Sequence, residues 1–443
     1  MTIDWQSITD EAVQHLQALI RIDTTNPPGN EQAAADCLAQ LLAREGYAPV
    51  VLTSAPGRGN VVARYKGRGD AAPLLLLSHL DVVPAEPAQW EHNPFGGEIV
   101  DGMIWGRGAL DMKSIVTMQL MTMLLLQRGQ IPLARDVIFA ATADEEAGGE
   151  YGAGFLVENH PELIRAEHAL SEFGGFPLEF GGRTIYFCQA AEKGFCWLRM
   201  RARGQPGHGS MPHPDNATVK LAEAVGKLGR ARLPYHRTQA VTEMIHGMAN
   251  AIGGMQGAVL RLLLHPTLHP LALRALASSS FERFFYALLH NTVSPTVLQA
   301  GSKTNVIPSE AVAELDGRTL PGQDMESLIG ELEAVIGPGF EFEPIHLGPP
   351  LAISSETVLF ATMARVLQRH DPGAAVAPLM MAGGTDAKHI ARLGIPCYGF
   401  SPMRLPPEFN FLAMVHGHNE RIPIDGLAFG VQALYEVVEE YCQ

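Results

Sequence analysis

Residues 74–77 are four leucines in a row, preceded by Pro73 and closed by Ser-His-Leu-Asp in the stretch "LLLLSHLDVVP". A short run that is apolar at every position suits a strand covered on both faces, because a half-exposed strand would alternate. Such a strand needs helices above and below it, so the chain is constrained to a layered α/β architecture. His79 and Asp81 then stand at the carboxyl end of the strand, the side on which open α/β sheets bind ligands. A His and an Asp two residues apart there read as a metal ligand with its orienting carboxylate. Taken alone, the pair reads more readily as a strand-end His capping a turn beside a solvated Asp, since short motifs often match by chance.

The surrounding pattern supports the layered fold. Residues 8–22 carry apolar positions at helical spacing, "TTNPPGN" breaks the chain at 24–30, and "EQAAADCLAQLLAREG" reads as a helix ending at Gly46. Strands are expected near 48–53, 60–65 and 73–78, and a long apolar helix near 113–129. A strand in "RDVIFAATADEE", a helix near 152–160 and a strand at 167–171 follow. From about Phe195 the pattern changes: "FCWLRMRARG" alternates, then come a helix at 215–229, strands near 294–301 and 309–317, a helix at 323–336 and a strand at 340–346. Strand, helix, two strands, helix, strand is the order of a ferredoxin-like unit. The segment at roughly 232–292 is too long for a loop and reads as an inserted helical subdomain. After Pro349 the α/β pattern resumes, with helices at 355–369, 385–392 and 425–441 and strands at 376–381 and 396–400. The expected organisation is a discontinuous domain, 1–194 and 347–443, interrupted by a second domain at 195–346.

Composition narrows the function classes. With 32 Lys+Arg against 47 Asp+Glu the net charge is −15, which repels phosphate backbones and anionic lipid, so neither a nucleic-acid nor a membrane partner is expected. The opening "MTIDWQSITDEAVQHL" is acidic and helical where a secretory signal has a basic end and an apolar core. No apolar stretch approaches the roughly 20 residues of a spanning helix, and the expected location is cytoplasmic. Cys37, Cys188, Cys196, Cys397 and Cys442 are scattered and odd in number, as core thiols are.

Acidic groups recur beside the predicted strand ends of the first domain. Asp111 stands in "GRGALDMK" at the mouth of a helix, Asp144, Glu145 and Glu146 end "DVIFAATADEE", Glu172 ends "HALSEFGG", and His416 lies downstream in "VHGHNE". Singly, each has a plain reading as a solvated acid or a turn residue. Jointly they match a two-metal site, in which divalent ions about 3.5–4 Å apart share a bridging carboxylate. Asp111 bridges in this reading, with His79 and Glu172 on one ion and Glu146 and His416 on the other. Imidazole and carboxylate ligands suit zinc first, with manganese or cobalt as alternatives. Asp81 orients His79, and Glu145 is left as a general base that passes a proton to a leaving amine.

The stretches "SHLDVVP", "WGRGALDMK", "TADEEAGG", "SEFGG", "GQPGHGSMP", "TNVIP", "GGTDAKHI" and "HGHNE" resemble, in order along nearly the whole chain, the co-catalytic zinc hydrolases that include aminoacylase, carboxypeptidase S, glutamate carboxypeptidase and succinyl-diaminopimelate desuccinylase. The resemblance implies an α/β catalytic domain with an inserted ferredoxin-like lid, and hydrolysis of an amide or peptide bond next to a free carboxylate in a peptide or N-acyl amino acid. It assigns the same ligands and the same base, and Glu172 is Glu as in aminoacylase-like members where some carboxypeptidase relatives have Asp. It further implies His208 as an oxyanion-stabilising residue, Asn305 as a second oxyanion or substrate contact, Arg318 as partner of the substrate carboxylate, and Gly384 and Thr385 as pocket lining. "HLGPPLAIS" at 346–354 lacks the additional arginine of some glutamate-releasing relatives, so a preference for acidic side chains is not implied. The helical insertion resembles that of the carboxypeptidase S-like and aminoacylase-like branch, and the lid surface offers a route to a homodimer. A binding or scaffold protein that kept the fold without the chemistry is the rival, and the presence of every ligand and the base speaks against it. Phosphoester hydrolysis also uses two ions, but no phosphate-cradling Gly-Lys loop is present.

Overall fold

The computed structural model describes residues 3–275, 279–406 and 409–443. The chain divides into two compact units, Met1–Ala190 with Ile353–Leu379 and Thr385–Gln443, and Ala191–Ala352 with Met380–Gly384. The change-overs lie at 190/191 and 352/353 where patterning suggested 194/195 and 346/347, and the strand Arg183–Glu192 runs through the first of them without interruption.

In the first unit the sheet order is Val50–Ala55, Arg58–Tyr65, Arg135–Thr142, Ala71–His79, His168–Ser171, Cys397–Gly399 and Arg183–Glu192, and Gly174–Phe180 and Ala375–Met381 also pair with the last of these. The strands Arg135–Thr142, Ala71–His79, His168–Ser171 and Cys397–Gly399 are parallel neighbours, so their carboxyl ends open on one edge. Register pairs His79 with Thr142 and Leu76 with Leu170, which brings Glu172 level with Ser78. All four leucines of the opening run are fully buried. Leu74 and Leu76 join a core with Leu16, Leu38, Leu120 and Val438 from four helices, Trp5–Ile20, Glu31–Arg44, Lys113–Gly129 and Ile424–Cys442. Leu75 and Leu77 point to the opposite face by strand alternation, and each buried leucine contributes about 1.5–3 kcal/mol.

The helix Lys113–Gly129 is buried on every side from Lys113 to Leu126, the physical reason for its nearly unbroken apolar sequence. The Lys113 ammonium donates to the carbonyls of Leu19 and Ile22 (3.0 and 2.8 Å), so the buried charge at its start is held by two main-chain acceptors. A separate three-stranded sheet, Arg421–Pro423 with Met103–Trp105 and Glu98–Val100, ties the chain before the last helix to the approach to Asp111.

The second unit has an antiparallel sheet in the order Thr292–Ala300, Glu310–Thr319, Gly194–Arg203, Phe340–Gly348, with helices Ala217–Leu228 and Met325–Ile336 in the connections. That is the ferredoxin-like arrangement. Leu198, Met200 and Ala202 turn inward while Arg199, Arg201 and Arg203 turn outward to meet Glu314, Glu310 and Glu341. Among the described residues, the helices Gln239–Ile252, Gly254–Leu262, His269–Ala275 and Ser279–Leu289 lie in the segment between Ala217–Leu228 and Thr292–Ala300. Cys188, Cys196, Cys397 and Cys442 are buried free thiols and Cys37 is half-buried. Among the described residues no helix is long and apolar enough to cross a membrane.

Candidate metal centre

The parallel strands bring the expected residues to one edge of the first unit. His79 Nε2 lies 3.1 Å from Asp111 Oδ1 and 3.5 Å from Glu172 Oε2. The other Asp111 oxygen, Oδ2, is 3.1 Å from His416 Nε2, which in turn is 3.1 Å from both oxygens of Glu146. The two oxygens of Asp111 therefore face different histidines, the geometry a shared ligand requires. The donor atoms of His79, Glu145 and Glu172 lie within 4.8 Å of one another, as do those of His79, Asp111 and Glu146.

The residues arrive on two kinds of segment. Strand ends deliver His79, Glu145, Glu146 and Glu172, but Asp111 sits in the turn before the helix Lys113–Gly129 and His416 in the loop after the short helix Phe411–Met414. The separate three-stranded sheet, which the sequence pattern did not reveal, aligns those two segments. Asp81 faces His79 with both its main-chain carbonyl and its carboxylate. The His79 Nδ1 is closer to the Asp81 main-chain carbonyl (3.0 Å) than to its carboxylate (3.4 Å). The carboxylate also accepts from the backbone N–H groups of Glu145 and Glu146 (both 3.1 Å) and from Asn26 Nδ2 (2.8 Å), so it fixes the turn that carries these two acids.

The electrostatics describe a donor set short of positive charge. Burial, reinforced by Asp111 and Glu146, pushes Glu172 up to about 8. Burial and the Glu172 charge raise Glu145 well above the carboxylate range, and burial raises Glu146. Burial disfavours charge on His79, yet the carboxylates of Glu172, Asp111 and Asp81 hold its pKa well above the usual value. Hydrogen bonds to Asp111 and Glu146 raise His416 to about 10. Crowded buried carboxylates around two imidazoles are the oxygen and nitrogen ligands that divalent zinc and its neighbours take. The residues fit two cations, one toward His79 and Glu172 and one toward Glu146 and His416, on either side of Asp111.

Behind the ligands lies a buried layer that sequence reading missed. The Arg58 guanidinium lies 2.7 Å from Asp144 Oδ1 and 2.8 Å from Glu31 Oε1 and also bonds Pro28 O, while Asn26 Nδ2 joins Asp144 (3.2 Å) to Asp81. Asp144, one of three adjacent acids at the end of its strand, therefore faces the guanidinium. Asp386 accepts from Thr142 Oγ1 (3.2 Å), and the preceding residue, Thr385, bonds the Ala387 N–H at the start of the next helix. A buried Glu420 accepts from the turn around Asp111. None of these has a periodic or spacing signal; only the acid two residues past the "HGH" of the His416 loop is visible in sequence.

The other expected site residues belong to the second unit. His208 and Asn305 are neighbours there: the Gly209 N–H donates to the Asn305 carbonyl (2.9 Å), and His208 pairs with Val306 in a short ribbon. His208 Nδ1 lies 2.7 Å from Ser210 Oγ and 3.2 Å from the Ser210 N. Arg318 lies with its guanidinium 4.2 Å from the Phe195 ring centroid and is held by both oxygens of Asp316 (2.7 and 3.1 Å). Gly384 packs against the same ring so closely that a Cβ would sit 2.5 Å from Phe195 Cε2.

Comparison with known proteins identifies the family. Residues 75–440 match the model of peptidase family M20/M25/M40. The chain is 30% identical over 380 residues to the N-fatty-acyl-amino acid synthase/hydrolase PM20D1 of Xenopus tropicalis, covering 83% of this chain and 72% of that protein. It is 31% identical over 404 residues to the probable carboxypeptidase S-like 2 of Dictyostelium discoideum, covering 86% and 75%. In fold it resembles the M20 family metallo-carboxypeptidase Sso-CP2 of Sulfolobus solfataricus, with a TM-score of 0.69 at 19% identity over 97% of this chain and 99% of that one. Motif order, ligand geometry and family match converge: the chain belongs to peptidase family M20/M25/M40 and is a metal-dependent hydrolase.

Proposed function

We propose that the protein hydrolyses the amide bond of an N-acyl amino acid or peptide next to a free carboxylate, with Glu145 as the general base. The observation that carries this reading is the pair of 3.1 Å approaches from the two oxygens of Asp111 to His79 and His416, with Glu145 beside them. His79, Asp111, Glu146, Glu172 and His416 hold two divalent cations, zinc first and manganese or cobalt as alternatives. Such ions, when bound, polarise a carbonyl and lower the pKa of water.

Glu145 takes the proton of the attacking water onto its carboxylate and delivers it to the departing nitrogen, as general base and then general acid. Asp81 keeps Glu145 in place through the backbone N–H it accepts. His208 donates from Nε2 to the developing oxyanion, and Asn305 assists it. Arg318, planar and pre-set by Asp316 and Phe195, pairs with the substrate carboxylate. Gly384 and Thr385 line the pocket. The second unit acts as a lid and as the surface for a homodimer, and the protein works in the cytoplasm. The names of the curated relatives, an acyl-amino acid hydrolase and a carboxypeptidase S-like protein, support this substrate class.

The test is metal analysis of the purified protein, followed by hydrolysis of N-acyl amino acids and dipeptides with and without a chelator. Two ions per chain and chelator-sensitive cleavage are expected, and the panel separates deacylase from peptidase. Folded protein that neither holds nor takes up divalent metal would refute the proposal.

A further inference from the structure

Glu420 lies four residues after His416 and reaches the turn that carries Asp111. Its Oε1 accepts from the N–H groups of Leu110 (2.7 Å) and Asp111 (3.1 Å), and its Oε2 from the Gly108 N–H (3.1 Å) and Arg107 Nη1 (2.7 Å). Its main-chain carbonyl accepts from the Gly106 N–H (3.0 Å), and the strand that follows it pairs with Met103–Trp105. The carboxylate is fully buried with four donors on it, about its full capacity. One side chain thus joins the segment of the shared ligand to the loop of a terminal ligand.

That loop needs an anchor. His416 and Asn419 both have φ of +60°, in the left-handed region that residues other than glycine seldom occupy unless their surroundings impose it. His79 and Glu172, by contrast, are held by parallel strands of the central sheet. Glu420 touches no reacting atom, so any effect on chemistry passes through Asp111 and His416.

Resting on the dinuclear reading above, we propose that Glu420 is a positioning residue that locks Asp111 and His416 into one frame and so sets the affinity of the half of the centre formed by Asp111, Glu146 and His416. The rival explanation is that Glu420 only neutralises the buried Arg107. The two differ in what happens when charge is kept and reach is lost.

The experiment is a Zn²⁺ titration of the metal-free full chain against a chromophoric chelator, for wild type, E420D, E420Q and R107M, with circular dichroism as the folding control. E420D keeps an anion beside Arg107 but withdraws it from the Asp111 turn, so it decides the matter if E420Q does not fold. Wild type is expected to take up two ions. E420D and E420Q are expected to keep one ion near wild-type affinity and to bind the second about 10–100-fold more weakly, the usual loss for outer-shell partners. R107M leaves the three backbone donors on Glu420 and is expected to retain both ions. Folded E420D with both affinities unchanged, or an equal loss in R107M, overturns the proposal. Fewer than two ions on wild type would instead bring down the dinuclear reading itself and this proposal with it.

Discussion

Replacing Arg58 with Met tests whether the buried layer behind the centre holds the first unit together. The guanidinium is almost fully buried and sits 2.8 Å from Glu31 and 2.7 Å from Asp144. Methionine keeps most of the apolar volume but leaves two buried carboxylates without a cation. Breaking a buried ion pair from one side costs about 3–5 kcal/mol, and because the two acids share one guanidinium the loss is not doubled. The loss also depends on pH in a definite direction. Burial, with Asp81 next, raises Glu31 from 4.5 to about 7 even with Arg58 present. A carboxyl whose folded pKa is raised supports the fold fully below its unfolded pKa, and that support disappears as pH rises through the folded value. Without Arg58 the penalty is therefore largest near pH 8 and smaller at pH 5.5, where Glu31 is protonated. Urea unfolding read by tryptophan fluorescence suits the assay, since Trp5, Trp90 and Trp105 all lie in the first unit. A loss below about 1 kcal/mol, the range of exposed pairs, or one independent of pH, would refute the reasoning.

Three further outcomes follow from the same geometry. Glu145→Gln should keep its metal content and lose about 10²–10⁴-fold in turnover, the usual share of general acid–base catalysis, whereas Asp111→Ala should lose metal as well; metal analysis beside a rate assay separates them. Lys193 donates to the carbonyls of Ala287 and His290 and to Thr292 Oγ1, and burial, helped by Arg318, lowers its pKa to about 7. Between that value and the unfolded ~10.4 the unfolded chain binds more protons, so the second unit should grow more stable as pH rises from 7 to 9. Lys193→Met should abolish that slope, read by the fluorescence of Trp197. Gly149 has φ +81° and a Cβ there would lie 2.3 Å from Asp386 Oδ1, so Gly149→Ala should destabilise the first unit by at least about 1–2 kcal/mol in thermal unfolding.

The leucine run, the alternation of "FCWLRMRARG" and the change of pattern at both ends of the second unit are local signals, and each led to the observed element because burial on one or two faces imposes a period on the sequence. The same holds for His79, Glu146 and Glu172, which strand ends deliver wherever the parallel strands lie side by side. The hairpin Gly174–Phe180 with Arg183–Glu192 is missing from the sequence reading, although the Gly181-Gly182 pair between its strands is a turn signal.

What the sequence determined by itself was therefore the layered class and the ferredoxin-like insertion, and it nominated the candidate metal-binding side chains, because these depend on residue type and spacing within short windows. Only the tertiary structure decided which atoms meet: that Asp111 turns one oxygen to each histidine, that the Asp81 carboxylate serves the Glu145 turn more than His79, and that Glu420 and Arg58 sit behind the ligands. Those contacts join residues from 32 to more than 300 positions apart, and a buried polar group chooses its partner by three-dimensional proximity, which no periodicity along the chain encodes.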